Sequence, residues 1–479
     1  YWQKINNRTA FSVDGTYMRA DGIYPFTLVN GTQKSKKKRN NSDIFSWKGE
    51  ANLYHQFADS SQLDLKLYWF YSERGLPGGV ILYKDKNNER LWDEDFFVQA
   101  VYSKHFNDQW SLKTRLKYAH TWNKYEDTDV KYQDGKQTDI DRQNEYYGSV
   151  TLGWEPLNGL SFALAEDVVY NDLRNNIIIS AKEAPPFPKR FTSLTALSAR
   201  WAWKRLKADA NVVGTYATET VRTGKKPDGR HRLSPSFSLS YRLLNSEALY
   251  VRAMLKNTFR LPTFNDLYYR RMGNTGLRPE KATEYNVGLT WSGQPVKAVK
   301  YLTITVDGYY NDIKDKIVAF PSTYIWRMAN YGKVCIRGID ATIATEVPIV
   351  KDVSVMLTGV YTYQKAIDKT DGSASYNRQI PYTPIHSGNG ALTIRMPWVN
   401  VGYSVLMQGK RWSSSQRSRE YVVDEFAEHT LSLSRELKFR HCSLLLQGAI
   451  HNLTNEQYEI IKYYPMPGRS WTLTGTLNL

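Results

Sequence analysis

The sequence predicts an all-β protein: a transmembrane antiparallel up-and-down β-barrel with short periplasmic turns and long extracellular loops. Three observations predict it. Apolar side chains recur at every second position in about twenty segments, no stretch carries the 3.6-residue period of an amphipathic helix, and short turns alternate strictly with long polar loops.

The period of two is clearest at the C-terminus, where Trp471, Leu473, Leu477 and Leu479 alternate with Thr472, Thr474, Thr476 and Asn478. The same pattern sets Leu302, Ile304 and Val306 against Thr303, Thr305 and Asp307. Trp110, Leu112, Leu116 and Tyr118 oppose Lys113, Arg115 and Lys117, so one face of that segment must be wet. In chain order the segments start near Asn7, Ser42, Gln62, Leu91, Gln109, Gln143, Leu160, Phe191, Leu206 and Leu233. They continue from Glu247, Thr283, Tyr301, Lys333, Val353, His386, Val399, Glu425, His441 and Gly468.

Tight turns fall at Ala58 to Ser61, Asn107 to Gln109, Pro156 to Gly159, Asn245 to Glu247 and Pro397 to Val399. Long polar loops include Asp21 to Asn41, Gly75 to Arg90, Glu126 to Arg142, Arg260 to Lys281, Asp315 to Gly332 and Asn455 to Pro467. In lipid every backbone amide needs a partner within the protein, so a spanning sheet must close and turn its apolar face to the lipid. Trp69, Tyr71, Trp154, Tyr170, Trp201, Trp203, Tyr361 and Trp471 stand near segment ends, where girdles of amphipathic rings belong. The mean hydropathy of −0.54 fits, since only alternate strand residues need be apolar.

Composition narrows the function classes. Of 479 residues 14% are aromatic, which excludes a disordered chain. Two cysteines, Cys335 and Cys442, make neither a disulfide framework nor a zinc spacing. No apolar run approaches the roughly 20 residues of a spanning helix. The net charge of +17 is scattered over strand positions and loops without a nucleic-acid-binding module. No Ser/His/Asp, Cys/His or paired-carboxylate context marks a catalytic centre, and the reading is of a protein that is not an enzyme.

Two stretches resemble a known family. Phe259, Arg260, Pro262, Asn265, Asp266, Leu267 and Tyr268, followed by Gly273, Asn274, Leu277, Pro279 and Glu280, resemble the mid-barrel signature of TonB-dependent outer-membrane receptors. Tyr464 to Trp471 is similar to that family's passage from last loop to last strand. Two departures stand out: Thr275 replaces the family's usual proline, and the chain ends on Leu479 rather than an aromatic residue. The motif also has a local reading. Pro262 and Pro279 forbid ladder hydrogen bonds and stop strands, while Gly273 and Gly276 are expected to supply turn dihedrals.

The resemblance implies a 22-stranded barrel preceded by a plug. With about 20 strands counted, residues 1–479 are expected to be an N-terminally incomplete barrel domain lacking the plug and the first two strands. It further implies residence in the bacterial outer membrane and uptake of a scarce, large nutrient. Energy would come from a TonB–ExbB–ExbD complex acting through the plug. Lipopolysaccharide and a surface lipoprotein lid are further implied partners, and nucleic acid is not one.

Within the family, Arg74 to Gly78, Asp21 to Phe26 and Asn40 to Asp43 are similar to the vitamin B12 receptor group of Bacteroidetes, which makes cobalamin or another corrinoid the expected ligand. The loop rings Tyr24, Phe26, Tyr268, Tyr269, Tyr324, Trp326 and Trp412 are the candidate ligand contacts, against the plainer reading of loop packing or girdle. A ferric-siderophore receptor is the alternative, and the cations Lys34, Lys36, Lys37, Lys38 and Arg39 would suit it. A solvated loop tip explains the same run. Asp127, Asp129, Asp134, Asp139 and Asp141 form an acidic stretch, read as a calcium loop or as a hydrated one. From other classes, a passive porin predicts 16 to 18 strands and an adhesin predicts open sheet edges.

Overall fold

A computed structural model describes every residue except 31, 82–86, 133, 177–184, 225, 245–247, 270–272 and 322–325. The expected turn at Asn245 to Glu247 and the candidate Tyr324 lie outside the described residues. The first strands are β1 (Trp2–Asn6) and β2 (Thr9–Ala20), then a separate hairpin of β3 (Pro25–Asn30) and β4 (Gln33–Lys38), then β5 (Ile44–Gln56). There follow β6 (Gln62–Leu76), β7 (Glu89–His105), β8 (Trp110–Thr128), β9 (Lys136–Leu157) and β10 (Leu160–Asn175). Next come β11 (Lys189–Trp203), β12 (Leu206–Thr220), β13 (Arg230–Arg242), β14 (Ala248–Arg260), a short helix α1 (Phe264–Tyr268) and β15 (Glu280–Gly293). The chain continues through β16 (Tyr301–Pro321), β17 (Trp326–Val350), β18 (Val353–Asp368), β19 (His386–Arg395) and β20 (Asn400–Gln408). After a minor pair, β21 (Arg411–Trp412) and β22 (Val422–Val423), it ends with β23 (Phe426–Lys438), β24 (Ser443–His451) and β25 (Ser470–Asn478).

Twenty-one of these strands make one sheet in which each pairs antiparallel with the next. The sequence count of twenty omitted β1, which pairs with β2 through Trp2↔Ser12 and Lys4↔Ala10. Its five residues are too few to display a period of two. An odd number of alternating strands leaves β1 and β25 running the same way, and no described pairing joins them. The loops above them meet instead. Thr27 and Gln457 exchange hydrogen bonds of 2.6 and 2.7 Å, and the Tyr24 hydroxyl donates to the Pro465 carbonyl at 2.7 Å. Residues more than 400 positions apart are thereby drawn together, so the sheet is curled around an interior.

Its two faces differ as the alternation requires. On the outer face of β9 stand Tyr146, Val150, Leu152 and Trp154, all exposed. Tyr146 lies in ring contact with Tyr118 at 5.1 Å and Tyr170 at 6.2 Å, and Trp154 with Trp110 at 5.7 Å and Phe162 at 5.5 Å. These aromatic rows bracket nine residues of β9, from Tyr146 to Trp154, matching the nine to eleven that a tilted strand needs to cross the hydrocarbon layer. On the opposite face Lys117 meets Glu145 at 3.1 Å and Lys66 meets Glu50 at 2.9 Å, so the wet face inferred from Lys113, Arg115 and Lys117 is the lumen wall.

The long loops are less loop-like than the sequence suggests. Most of Asp315 to Gly332 continues β16 and β17, and most of Glu126 to Arg142 continues β8 and β9. Above the bilayer a ladder needs no apolar face, so these extensions lack the alternation that reveals a strand. The basic run lies on β4 rather than at a loop tip. Its lysines are exposed, whereas Arg39, just beyond, is 2% exposed and stacks over Tyr464 at 5.8 Å.

Candidate functional site

The loop between β14 and β15 carries the site. Arg260 ends β14 and Glu280 begins β15, so Pro262 and Pro279 stand just outside the ladder, as their missing amide hydrogen requires. Between them α1 is started by a capping box. The Asp266 amide donates to Thr263 Oγ1 at 3.1 Å, and the Thr263 amide donates to Asp266 Oδ2 at 2.9 Å. Arg260 adds an ion pair to the same carboxylate at 3.2 Å.

The helix carries its loop across the top of the sheet's interior. Phe264, Leu267, Tyr268 and Leu277 bury themselves with Leu173 of β10 and Ile317 of β16, two strands far apart along the sheet. Tyr268 donates to Glu219 at 3.4 Å, and the Arg190 guanidinium lies 5.0 Å from the centre of the Phe264 ring. Burial and the adjacent Glu219 carboxylate push the Tyr268 phenol well above its ordinary value. Asn274 closes the loop, donating its backbone amide to the Asp266 carbonyl at 2.8 Å and its side-chain amide to the Met328 carbonyl at 3.2 Å. The expected reason for Gly273 is corrected here. Neither Gly273 nor Gly276 has a positive φ; a Cβ on Gly273 would instead lie 2.7 Å from the Leu267 carbonyl oxygen and from the Tyr269 amide nitrogen.

Beneath this loop is a cavity of about 600 Å³, lined by Asn265, Asp266 and Tyr269 from above and by β6 to β10 and Met328 from the sides. The motif is therefore divided: Phe264, Leu267 and Tyr268 pack, while Asn265, Asp266 and Tyr269 face the space. The wall is built from cross-strand rows, since directly paired residues project on the same face. One row runs Ser72, Asp93, Asn123, Asp141, Asn175. The next runs Asp95, Thr121, Gln143, Leu173. Arg74, two residues along β6 from Ser72, pairs with Asp93 of the first row at 2.8 Å, and Asn123 donates to Asp93 as well. The Tyr269 phenol is pushed up by burial and by the carboxylates of Asp141, Asp139, Glu89 and Asp93, the mark of a negative local field.

Of the seven rings expected at a ligand, Tyr269 alone lines this cavity among the described side chains. Tyr24 and the buried Phe26 belong to the packing of the first loop, Tyr268 to the loop core, and Trp412 to the β21–β22 pair. Trp326 begins β17. The acidic stretch disperses: Asp127 pairs with Lys131 at 2.9 Å and accepts from Tyr132 at 2.6 Å, Asp129 also meets Lys131, and Asp134 is exposed. Among the described residues no group of three or more His, Cys, Asp or Glu side chains is arranged to hold a metal. Asp141 joins the cavity wall instead. Asp93, Asp95, Asn123 and Gln143 were missed from the sequence, because only strand register reveals that they stand in two adjoining rows on one face.

The beta-barrel model of the TonB-dependent receptor-like family matches residues 2–453. This chain belongs to the TonB-dependent receptor family. That family is one of outer-membrane receptors rather than enzymes, which accords with the aromatic rows on the outer face of the sheet. The vitamin B12 transporter BtuB of Vibrio vulnificus is 25% identical over 229 residues, 45% of this chain and 33% of that protein. The vitamin B12 transporter BtuB of Photobacterium profundum is 24% identical over 234 residues, covering 48% and 35%. The matched region thus spans about a third of these curated relatives. Among solved structures, the copper transporter OprC superposes with a TM-score of 0.76 at 14% identity, over 98% of this chain and 76% of that one. The siderophore receptor PiuA from Acinetobacter baumannii gives 0.75 at 11% identity, over 100% and 78%. At such identity these likenesses show the fold alone and nothing about cargo.

Proposed function

We propose that this barrel serves TonB-energised uptake of cobalamin or another corrinoid, bound at the cavity beneath the β14–β15 loop. The observation that carries the reading is the composition of the cavity wall. Asp93, Asn123 and Asp141 alternate carboxylate with amide along one row, and Asp95, Thr121 and Gln143 line the cavity from the next. A corrin ring is fringed with carboxamides, which donate to carboxylates and both donate to and accept from amides. An anionic ferric complex needs cations instead. Among the described residues the wall carries one cation, Arg74, and it is already paired with Asp93. The similarity to vitamin B12 transporters points the same way. A ligand larger than the cavity would seat one edge in it, with the extracellular loops around the rest. Energy coupling through TonB belongs to the whole protein and is part of the proposal.

The test is a titration of the detergent-purified full-length receptor with cyanocobalamin and, separately, with ferric citrate and a ferric catecholate siderophore. Saturable binding of cyanocobalamin is expected. Saturable binding of the iron complexes alone overturns the reading.

A further inference from the structure

We propose that Asp95 and Asp141 act as a charge filter in this cavity, favouring amide-rich ligands that are neutral or carry an added cation and disfavouring those of net negative charge. The inference rests on the corrinoid reading and refines it.

Among the described residues, four carboxylates and one guanidinium line the cavity. Two of the four are balanced: Asp93 by Arg74 at 2.8 Å, and Asp266 by Arg260 at 3.2 Å. Asp95 and Asp141 are not, since no described cation forms an ion pair with either. Their placement is set by register, with Asp141 opposite Asn123 and Asp95 opposite Thr121 in the adjoining row, so both project inward. Directly opposite Asp141 and on the same face, Asn175 is 7% exposed and its side-chain amide is a hydrogen-bonding neighbour of the Asp141 carboxylate. A bound donor at this place would satisfy what remains of that carboxylate's accepting capacity. The Tyr269 phenol, held protonated by burial and by the surrounding carboxylates, adds one more donor at the rim and no positive charge.

Three ligands of nearly one shape separate charge from fit. They are cyanocobalamin; its derivative with one propionamide hydrolysed to a carboxylate; and that carboxylate coupled to ethylenediamine, which ends in an ammonium. Binding to the full-length receptor is expected in the order ammonium, neutral, carboxylate, with steps of about fivefold or more for a unit charge near one carboxylate. The Asp95→Asn/Asp141→Asn double variant should compress the ratios among the three ligands, a readout that general weakening leaves unchanged. On the wild-type protein, raising the salt to about 0.5 M should compress the same ratios through screening, which keeps the test independent of the variant's folding. Equal binding of carboxylate and neutral ligands, or ratios untouched by both salt and substitution, overturns the filter alone. Failure of all three ligands to bind overturns the corrinoid reading and the filter with it.

Discussion

Arg190 and Glu219 face each other across β11 and β12 at 2.6 Å, both about nine-tenths buried, and Tyr268 of the crossing loop donates to the same carboxylate. The pair is where the loop is fixed to β11 and β12. Removing the carboxylate leaves a buried guanidinium without a counter-charge, which costs about 3–5 kcal/mol. Glu219→Ala should therefore release α1, whereas Tyr268→Phe removes one weak bond and should do far less. Hydrogen exchange of residues 264–269 is the measurement. Equal exchange in wild type and Glu219→Ala would show that the apolar cluster holds the loop unaided.

A second prediction concerns Gly273. A methyl group there meets backbone atoms of Leu267 and Tyr269 at 2.7 Å, and backbone cannot rotate away as a side chain can. Gly273→Ala should push the loop off α1 and break the Asn274 to Asp266 bond. Ligand affinity is expected to fall about tenfold or more while the thermal stability of the barrel holds, since no strand is touched. Gly276→Ala meets only the Asn274 side-chain oxygen, at 3.2 Å, and should be mild. Equal effects from the two substitutions would contradict the close-packing argument.

The barrel was legible in the sequence because lipid and water impose a period of two over many residues, and Trp471 to Leu479 displays it without any knowledge of partners. The short β1 was not, for want of length. The loop motif was recognisable, yet its division into packing and cavity residues required the turn of α1 that separates Tyr268 from Tyr269. The wall of the site was least legible of all. Asp93 and Asp141 are 48 positions apart in the chain and become neighbours of Asn123 only when two long hairpins fix their register. Rings were the natural choice for a bulky ligand; here Tyr24 bonds the loop at Pro465, and Phe26 and Tyr268 are buried away from the cavity.

The capping box offers a third test. Thr263 Oγ1 is the acceptor that starts α1, and replacing it with a methyl group costs about 1 kcal/mol at a typical N-cap. Thr263→Ala should speed hydrogen exchange at Asp266 about fivefold, and Thr263→Ser should restore the wild-type rate. If serine fails where threonine works, the methyl group rather than the hydroxyl is what matters at this position.

The last prediction separates the two faces of one strand. Leu116 is 59% exposed on the outer face of β8, while its neighbour Lys117 points to the lumen and pairs with Glu145 at 3.1 Å. An arginine facing hydrocarbon costs about 2–4 kcal/mol at the bilayer midplane and less toward the aromatic rows, and Leu116 lies between the two. A half-exposed ion pair in a wet lumen contributes no more than about 1 kcal/mol. Leu116→Arg should therefore lower the stability of the barrel folded into phosphatidylcholine vesicles by the larger amount, and Lys117→Gln by the smaller. Urea titration, followed by the heat-modifiable shift in gel migration, reads both. Were Lys117→Gln the more damaging change, the assignment of inside and outside would be reversed, and with it the placing of Asp95 and Asp141 in a lumen.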